Sequence, residues 1–182
     1  MATWSMASEP CRPCWPCRFR RPWRAALAAG VLCLAQPGGA LAQDCWTRAG
    51  DKYGIDPLLL AAIARVESSM NPAAVNRNRN GTTDIGLMQI NSTHLPRLHK
   101  AGITRKRLLA EPCTSIDAGA AILAGFIERL GPTWNAVGAY NAGASPARAR
   151  ARQAYVDKVW RAYRQLTRDR AASLAGLVDW RR

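Results

Sequence analysis

The sequence has no apolar run long enough to cross a bilayer, no long alternation of apolar and polar residues, and no internal repeat. The first absence excludes a stable membrane-spanning helix, which needs about 20 apolar residues. The second argues against a β-rich fold, and the third against a repeat architecture. Nearly every segment instead has the apolar spacing of amphipathic helices, so we expect a mainly α fold.

The N-terminal segment has the order of a secretory signal peptide. A basic stretch from Arg18 to Arg24 precedes the apolar run Ala25–Ala35, and the small-residue sequence Ala40-Leu-Ala42 follows. We therefore predict a signal peptide over residues 1–42 and a periplasmic location for the rest. An uncleaved N-terminal anchor is the alternative.

Acidic residues are scarce. The 182 residues contain 12 Asp and Glu against 26 Lys and Arg, which gives a formal net charge of +14. The predicted signal peptide carries five Arg and one Glu, so +10 remains on the mature part. Such a charge favours nucleic acid, anionic lipid or an acidic cell-wall polymer. Because exported proteins rarely meet nucleic acid, we expect the wall polymer, and no integral membrane span after cleavage.

Few cysteines remain once the signal peptide is removed. Four lie within it: Cys11, Cys14, Cys17 and Cys33. The remaining pair, Cys45 and Cys113, implies one disulfide in an exported domain, stabilising by roughly 4 kcal/mol in the chain-entropy model. A metal cluster in the N-terminal group would lack a fourth ligand at a suitable spacing.

Capping residues and prolines mark where the helices begin and end. The predicted helices run from Asp44 to Tyr53, from Leu58 to about Ser68, along an apolar stripe from Ile116 to Leu130, from Thr133 to Tyr140, and from Ser145-Pro146 to about Leu166. The polar, turn-rich stretch 76–84 predicts a surface loop or small hairpin. One domain therefore occupies residues 43–166, and a basic tail, 167–182, is predicted to be mobile.

Glu67 carries the most chemical information. It follows Leu60, Ile63 and Ala64 at helical spacing, so its carboxyl extends an apolar stripe. Burial there, and the negative end of the helix dipole, both disfavour the charged form and raise the pKa. A carboxyl that keeps its proton suits a general acid, worth about 10²- to 10⁴-fold in rate. On the helix alone, a solvated glutamate at a frayed end remains open.

Two further motifs favour the general acid. Glu67-Ser68 is followed by Asp84-Ile-Gly-Leu-Met-Gln-Ile-Asn91 and by Ala139-Tyr-Asn-Ala-Gly143. In these motifs and their order the chain resembles lytic transglycosylases of the soluble-lysozyme-like superfamily, above all small members encoded with secretion, pilus or conjugation machines. The resemblance covers residues from about 45 to 159. It implies a lysozyme-like transglycosylase domain with a small loop or hairpin beside the cleft.

The resemblance also implies a mechanism. Glu67 would protonate the bridging oxygen between N-acetylmuramic acid and N-acetylglucosamine, helped by the substrate's own N-acetyl group. The resulting carboxylate would take the proton of the muramic acid 6-hydroxyl, whose internal attack leaves a 1,6-anhydro end without water. No Asp or Glu obviously supplies a second catalytic carboxylate. No metal or cofactor is implied.

Other site residues are assigned by the same resemblance. Tyr140 resembles the tyrosine that hydrogen-bonds the catalytic carboxyl and orients it. The predicted substrate-binding residues are Ser68, Met88, Gln89, Asn91 and Asn141. Structural roles are the alternatives: Ser68 would hold the helix end, Asn141 would fix the loop that presents Tyr140, and Met88 would pack in the core. The resemblance also supports the disulfide between Cys45 and Cys113.

These features predict a peptidoglycan lytic transglycosylase that opens the wall locally for a type III or type IV secretion system or a pilus. Two alternatives remain. Asp84 could serve as a second carboxylate in a hydrolysing lysozyme, although a loop-holding role fits the family pattern better. A catalytically idle peptidoglycan-binding scaffold is the other, and the intact acid argues against it.

Two remaining groups have simpler explanations. His94 and His99 have no carboxylate at a metal-ligand spacing, so we interpret them as surface histidines. The run Arg148, Arg150 and Arg152 could bind nucleic acid. A solvated helix face, or attraction to anionic wall peptides, suits an exported protein better.

Overall fold

The structure, a computed structural model, describes the backbone of residues 38–179 and the side chains of residues 45–174. Within this range the fold is mainly helical, as predicted. Its elements are α1 (Gly38–Tyr53), α2 (Pro57–Ser68), β1 (Val75–Arg77), β2 (Thr83–Ile85), β3 (Ile90–Asn91), α3 (Leu95–His99), α4 (Arg105–Ala110), α5 (Pro112–Leu130), α6 (Trp134–Ala142) and α7 (Ala149–Asp179). Short 3₁₀ turns, Ser92–His94 and Pro146–Arg148, precede α3 and α7. None of the helices in this range combines the length and the apolar character that a membrane crossing requires.

The first helix begins earlier than the sequence predicted. α1 starts at Gly38, so Asp44 lies inside the helix and is not its cap. The sequence Ala40-Leu-Ala42 consists of strong helix formers, which allow the helix to extend back through it. Most of the predicted signal peptide lies outside the described residues, and cleavage after Ala42 stays a prediction.

The core forms around α5. This helix packs against α1, α4 and α6, while α2 and α6 both pack against α7. Leu60, Ile116, Leu123 and Val159 are among the side chains that are fully buried at the centre. The predicted disulfide is present: Cys45 on α1 joins Cys113 at the start of α5 across 68 residues, with Cα atoms 5.3 Å apart.

The polar stretch 76–84 forms the small hairpin that was one of its two predicted alternatives. β1 and β2 pair antiparallel, with Asn76 opposite Asp84, and β2 pairs with β3, with Asp84 opposite Asn91. The sequence did not predict β3, because a two-residue strand is too short to show an alternating pattern. The sheet brings three polar side chains side by side at one edge of the domain.

The last helix is longer than predicted. It does not end near Leu166 but continues to Asp179. Residues 167–174 are exposed, so over these residues the helix rests on the propensity of Arg, Ala and Leu and not on burial. The predicted mobility of the tail stays a prediction. α6 likewise ends at Ala142, two residues beyond the predicted end, after a start capped by Thr133 as predicted.

A glycine allows the hairpin to approach the helices. Gly86 follows β2 with φ of 75°. A Cβ at this position would lie 2.4 Å from the backbone oxygen of Leu108 and 3.2 Å from the hydroxyl of Ser115. Both the left-handed backbone and the lack of space require glycine here. Gly81, in the hairpin turn, also has positive φ (81°), but a Cβ there would meet no atom within 4 Å.

These two glycines form a matched pair for mutation. Gly81→Ala should lower the free energy of unfolding by about 1 kcal/mol, the cost of a left-handed alanine. Gly86→Ala should lower it by about 2–4 kcal/mol, because overpacking against the Leu108 carbonyl adds to the same backbone cost. Urea denaturation of both variants measures the difference. Equal losses would show that the close approach at Gly86 relaxes freely.

Candidate active site

A cavity of about 660 Å³ opens beside the carboxyl of Glu67. The β1–β2 hairpin and the segment from Gln89 to His94 form one part of its lining. α5, the C-terminal half of α6 and the 3₁₀ turn before α7 form the rest. The three sequence motifs, far apart along the chain, therefore meet at one cleft.

Local sequence places Glu67 at the edge of this cleft. Asp56 caps α2 by accepting a 2.8 Å hydrogen bond from the Leu58 backbone N–H, with Pro57 in the first turn, as predicted. Leu60, Ile63 and Ala64 are completely buried. Glu67 continues their stripe to the end of the helix, and its side chain is half-buried.

Tyr155 holds the Glu67 carboxyl. Its hydroxyl donates a 2.7 Å hydrogen bond to Oε1 of Glu67 from α7, and its side chain is 5% exposed. The predicted partner, Tyr140, does not make this contact. Its hydroxyl donates instead to the backbone oxygen of Met88 at 2.8 Å. The prediction that Tyr140 binds the carboxyl is therefore wrong, although Tyr140 does line the cleft.

The packing of the helices explains why Tyr155, and not Tyr140, bonds the Glu67 carboxyl. α7 packs directly on α2, so an inward-facing tyrosine of α7 meets the end of α2. Tyr155 lies four residues before the fully buried Val159, on the same face of α7. That spacing is the signal in the sequence that could have identified it.

The pKa of Glu67 is raised, as predicted from its position. Burial is the main cause, and the negative charge of Asp84 acts in the same direction. The Tyr155 hydroxyl and the Asn141 amide oppose it, because both favour the ionised carboxylate. Burial and the Glu67 charge also raise the pKa of Tyr155 well above its ordinary value, so its hydroxyl stays protonated and can donate.

Amide side chains tie Asp84 into the sheet. Its Oδ1 accepts from the Asn91 amide at 2.7 Å, and its Oδ2 accepts from the Asn78 amide at 2.9 Å. The Asn91 amide also donates to the Thr82 hydroxyl, and its oxygen caps the following turn at Thr93. Asp84 and Asn91 both line the cleft. These bonds hold its wall, which is the loop-holding role preferred for Asp84, and the predicted contact of Asn91 with substrate stays a prediction.

The side chain of Gln89 is also held by hydrogen bonds within the protein. Its side-chain amide donates to the backbone oxygens of Gly86 at 2.7 Å and Ala74 at 3.2 Å, and its oxygen accepts from Asn76 at 2.7 Å. The residue is 7% exposed with φ of 48°. Both amide protons are thus used within the protein, so a sugar contact by Gln89, which stays a prediction, would use its remaining oxygen lone pair.

Two predicted substrate-binding residues are not among those that line the cleft. The side chain of Met88 is completely buried and occupies the space left by the missing side chain of Gly119. The hydroxyl of Ser68 donates to the backbone oxygens of Ala64 and Leu87, at 3.1 and 2.7 Å. The structure therefore corrects both assignments to structural roles: Met88 packs in the core, and Ser68 ties the end of α2 to the loop.

Asn141 and His94 complete the polar lining. Asn141 is exposed and faces the cleft near the end of α6, beyond which Gly143 adopts φ of 73°. The contact between Asn141 and substrate therefore stays a prediction. His94, interpreted from sequence as a surface histidine, also lines the cleft. Burial and the nearby Arg97 lower its pKa, so it is uncharged at neutral pH.

A half-buried acid, a hydroxyl that orients it and a polar cleft define a general-acid site suited to cleaving polysaccharide. The sequence profile described as the transglycosylase SLT domain matches residues 44–162. The chain therefore belongs to the transglycosylase SLT domain family, as the motif resemblance predicted. The family supports a lytic enzyme that acts on peptidoglycan.

Individual relatives agree with this assignment. The chain is 51% identical over 123 residues to invasion protein IagB of Salmonella typhimurium, covering 68% of this chain and 77% of that protein. It is 45% identical over 120 residues to protein IpgF of Shigella flexneri, covering 66% and 79%. The X-ray structure of an inactive glutamate-to-glutamine mutant of lytic transglycosylase Slt from Pseudomonas aeruginosa matches with a TM-score of 0.54 and 26% identity. That match covers 70% of this chain and 23% of the other.

The two tyrosines can be separated by their effect on the pH profile. Tyr155→Phe removes a donor to the carboxylate, so the pKa of Glu67 should rise further and the alkaline limb of kcat/KM should move to higher pH. The loss of orientation should also lower kcat, by about tenfold for one hydrogen bond to a charged group. Tyr140→Phe should leave the alkaline limb in place, because its hydroxyl bonds the Met88 carbonyl. Turnover of soluble peptidoglycan fragments between pH 4 and 9 measures both.

An alkaline limb that stays fixed in Tyr155→Phe but moves in Tyr140→Phe would restore Tyr140 as the orienting residue. Equal shifts of the alkaline limb in both variants would mean that the effect on the pKa of Glu67 is not specific to the Tyr155 hydroxyl.

The wild-type pH profile follows from the same shift. A general acid works in its protonated form, so kcat/KM should be highest below the pKa of Glu67 in the folded protein and fall as the pH rises through it. Because this pKa is raised, the fall should be centred above the ordinary carboxyl value of 4.5. A fall centred at or below that value would contradict the general-acid assignment.

Proposed function

We propose that this protein is a lytic transglycosylase that cleaves the bond between N-acetylmuramic acid and N-acetylglucosamine and leaves 1,6-anhydro ends. The observation that carries the proposal is the Glu67 carboxyl, whose pKa burial raises and whose orientation Tyr155 sets beside the cleft. The glutamate-to-glutamine change in the inactive Slt structure supports a single glutamate as the essential group.

The geometry distinguishes the two carboxyl oxygens of Glu67 in the two proton transfers of the reaction, first to the glycosidic oxygen and then from the muramic acid 6-hydroxyl. Tyr155 engages Oε1, so we place the transferred proton on Oε2. When that proton passes to the glycosidic oxygen, the carboxylate that forms is stabilised by the Tyr155 hydroxyl, which then bonds a charged acceptor. The same carboxylate then accepts the proton of the muramic acid 6-hydroxyl as that oxygen attacks the anomeric carbon. Glu67 ends the cycle protonated, and water takes no part.

One observation keeps a hydrolase as the second candidate. Asp84 lines the same cleft, and its charge contributes to the raised pKa of Glu67, so two carboxyl groups share the site. Hydrolysis of a lysozyme type would use Asp84 as the second carboxylate. Both its oxygens, however, accept hydrogen bonds from the amides of Asn78 and Asn91. We therefore assign Asp84 to holding the hairpin wall.

The biological setting is inferred from the relatives. One relative is named an invasion protein, and this sequence begins with a predicted signal peptide. Both support a periplasmic enzyme that opens the wall locally for a trans-envelope secretion or pilus apparatus. A catalytically idle scaffold is disfavoured, because peptidoglycan binding alone requires neither a carboxyl of raised pKa nor a buried tyrosine that orients it.

Product analysis tests the proposal. Purified sacculi digested with the mature protein should yield muropeptides with 1,6-anhydro ends, identified by mass spectrometry. Glu67→Gln should lower the rate by at least about 10²-fold, since general-acid catalysis contributes about 10²- to 10⁴-fold. Glu128→Gln, a change at an exposed glutamate of α5, is the matched control and should keep the wild-type rate.

Reducing ends in place of anhydro ends would establish the hydrolase. Intact glycan with retained binding would establish the scaffold. Full activity of Glu67→Gln would remove Glu67 from the mechanism.

A further inference from the structure

Three arginines spaced two residues apart take three different positions around the start of α7. Arg152 is structural: its guanidinium donates to the backbone oxygens of Gly143 at 3.2 Å and Ser145 at 2.6 Å, and to the side-chain oxygen of Asn135 at 2.8 Å. Arg150 is exposed and stands outside the cleft lining. Arg148 lines the cleft. Arg148 belongs to the 3₁₀ turn before α7, whereas Arg150 and Arg152 lie two residues apart in α7 itself and therefore point to different sides of that helix.

Arg148 stands on a fixed support. The 3₁₀ turn that carries it is closed by a 3.0 Å hydrogen bond from the Arg148 N–H to the Ser145 oxygen, the same oxygen that Arg152 binds. Its own guanidinium has no hydrogen bond or ion pair with any residue that the structure describes. A cation is therefore held at the cleft, and the described protein does not neutralise it.

A second arginine reaches the cleft from the hairpin. Arg79 lies in the turn between β1 and β2 and lines the cavity. The base of this turn is fixed by hydrogen bonds between Asn78 and Thr82, through both backbone (2.8 Å) and side chains (3.0 Å). The Arg79 side chain is exposed and, like that of Arg148, has no partner among the described residues.

The other charges of the cleft do not account for these arginines. Of the described acidic groups that line it, Glu67 is bound by Tyr155 and Asp84 by two asparagine amides. His94 is uncharged at neutral pH because burial lowers its pKa. Two cations that have no partner among the described residues therefore line the cleft from two separate elements, where they can bind anions of a ligand.

The sugar rings of peptidoglycan carry no charge, whereas the peptide stems on their muramic acid residues carry carboxylates. If the cleft binds peptidoglycan, as proposed above, the stems are the part of the substrate that matches two cations. Arginine is also the side chain best shaped to bind carboxylates, because its planar guanidinium can donate two parallel hydrogen bonds.

We propose that Arg79 and Arg148 bind the carboxylates of peptidoglycan peptide stems, and that they make the enzyme selective for strands whose stems are acidic. This inference rests on the proposed function and adds a specificity that the catalytic residues do not provide. The arginines are substrate-binding residues and take no part in bond cleavage.

The experiment compares two synthetic glycan oligomers of equal length, one with free stem carboxylates and one in which these groups are amides. Wild-type enzyme should cleave the acidic oligomer with a higher kcat/KM, by about tenfold for two partly exposed ion pairs. Arg79→Gln and Arg148→Gln should each reduce this preference by about threefold, and the double variant should bring the ratio close to one. Arg150→Gln is the matched control and should keep the wild-type ratio.

Salt provides a second readout. The preference of the wild-type enzyme should decrease between 50 mM and 500 mM NaCl, because exposed ion pairs are screened, and the double variant should show no such dependence. Equal cleavage of both oligomers by the wild-type enzyme would overturn the proposal. So would an unchanged ratio in the double variant, or a change of the same size in Arg150→Gln.

Binding separates this inference from the proposed function. Fluorescence anisotropy of the labelled oligomers with Glu67→Gln reports affinity without turnover. A preference for the acidic oligomer that is lost with Arg79 and Arg148 would support the stem contacts even if the wild-type enzyme cleaved neither oligomer. Equal affinities for the two oligomers would overturn the stem contacts whatever the products of cleavage are.

Discussion

The hydrogen bond between Tyr155 and Glu67 joins α7 to α2 through two residues that are 88 positions apart in the sequence. α2 brings the carboxyl to the cleft on the last turn of an apolar helix, and α7 brings a buried hydroxyl to meet it. Burial alone would raise the pKa of the carboxyl and leave its direction unspecified. The tyrosine limits that rise and fixes the orientation, as the acid and base roles proposed for Glu67 require.

Whereas α2 provides apolar surroundings for Glu67, the hairpin provides a polar wall of the cleft, and this wall must not collapse. Of the residues in its two strands only Ile85 is fully buried, and hydrogen bonds among Asn78, Thr82, Asp84 and Asn91 help to hold the strands in place. Gln89 ties the same wall to the backbone at Gly86. A cleft for a hydrated polymer can therefore stay open while its walls stay rigid, which is the preorganisation that catalysis on a flexible strand needs.

Local signals predicted the five longest helices, because capping and apolar spacing are properties of short segments, but they did not predict the short helices α3 and α4. Asp56 and Pro57 predicted the start of α2. The apolar stripe from Ile116 to Leu130 predicted the end of α5, although this helix begins four residues earlier, at Pro112. The start of α1 and the end of α7 were missed, because nothing in the helix-forming sequences there forces the helix to stop. β3 was too short to show a pattern.

The site shows where sequence reasoning reaches its limit. The position of Glu67 on an apolar stripe predicted its raised pKa, since the cause lies within one helix. Which tyrosine bonds it depends on how α7 packs against α2 and α6, and the motif containing Tyr140 does not contain that information. Met88 and Ser68 were assigned to substrate for the same reason: a motif identifies residues that matter near a site without showing which way their side chains point.

The central claim is that Glu67 retains its proton above the ordinary carboxyl range because burial outweighs the Tyr155 hydrogen bond. Carbon-13 NMR titration of the mature protein, with the Glu67 resonance assigned from the spectrum of Glu67→Gln, measures this directly. The account predicts a midpoint above 4.5, the ordinary value for glutamate. A midpoint at or below that value would show that the carboxyl is ionised where it should act as an acid, and would contradict the account.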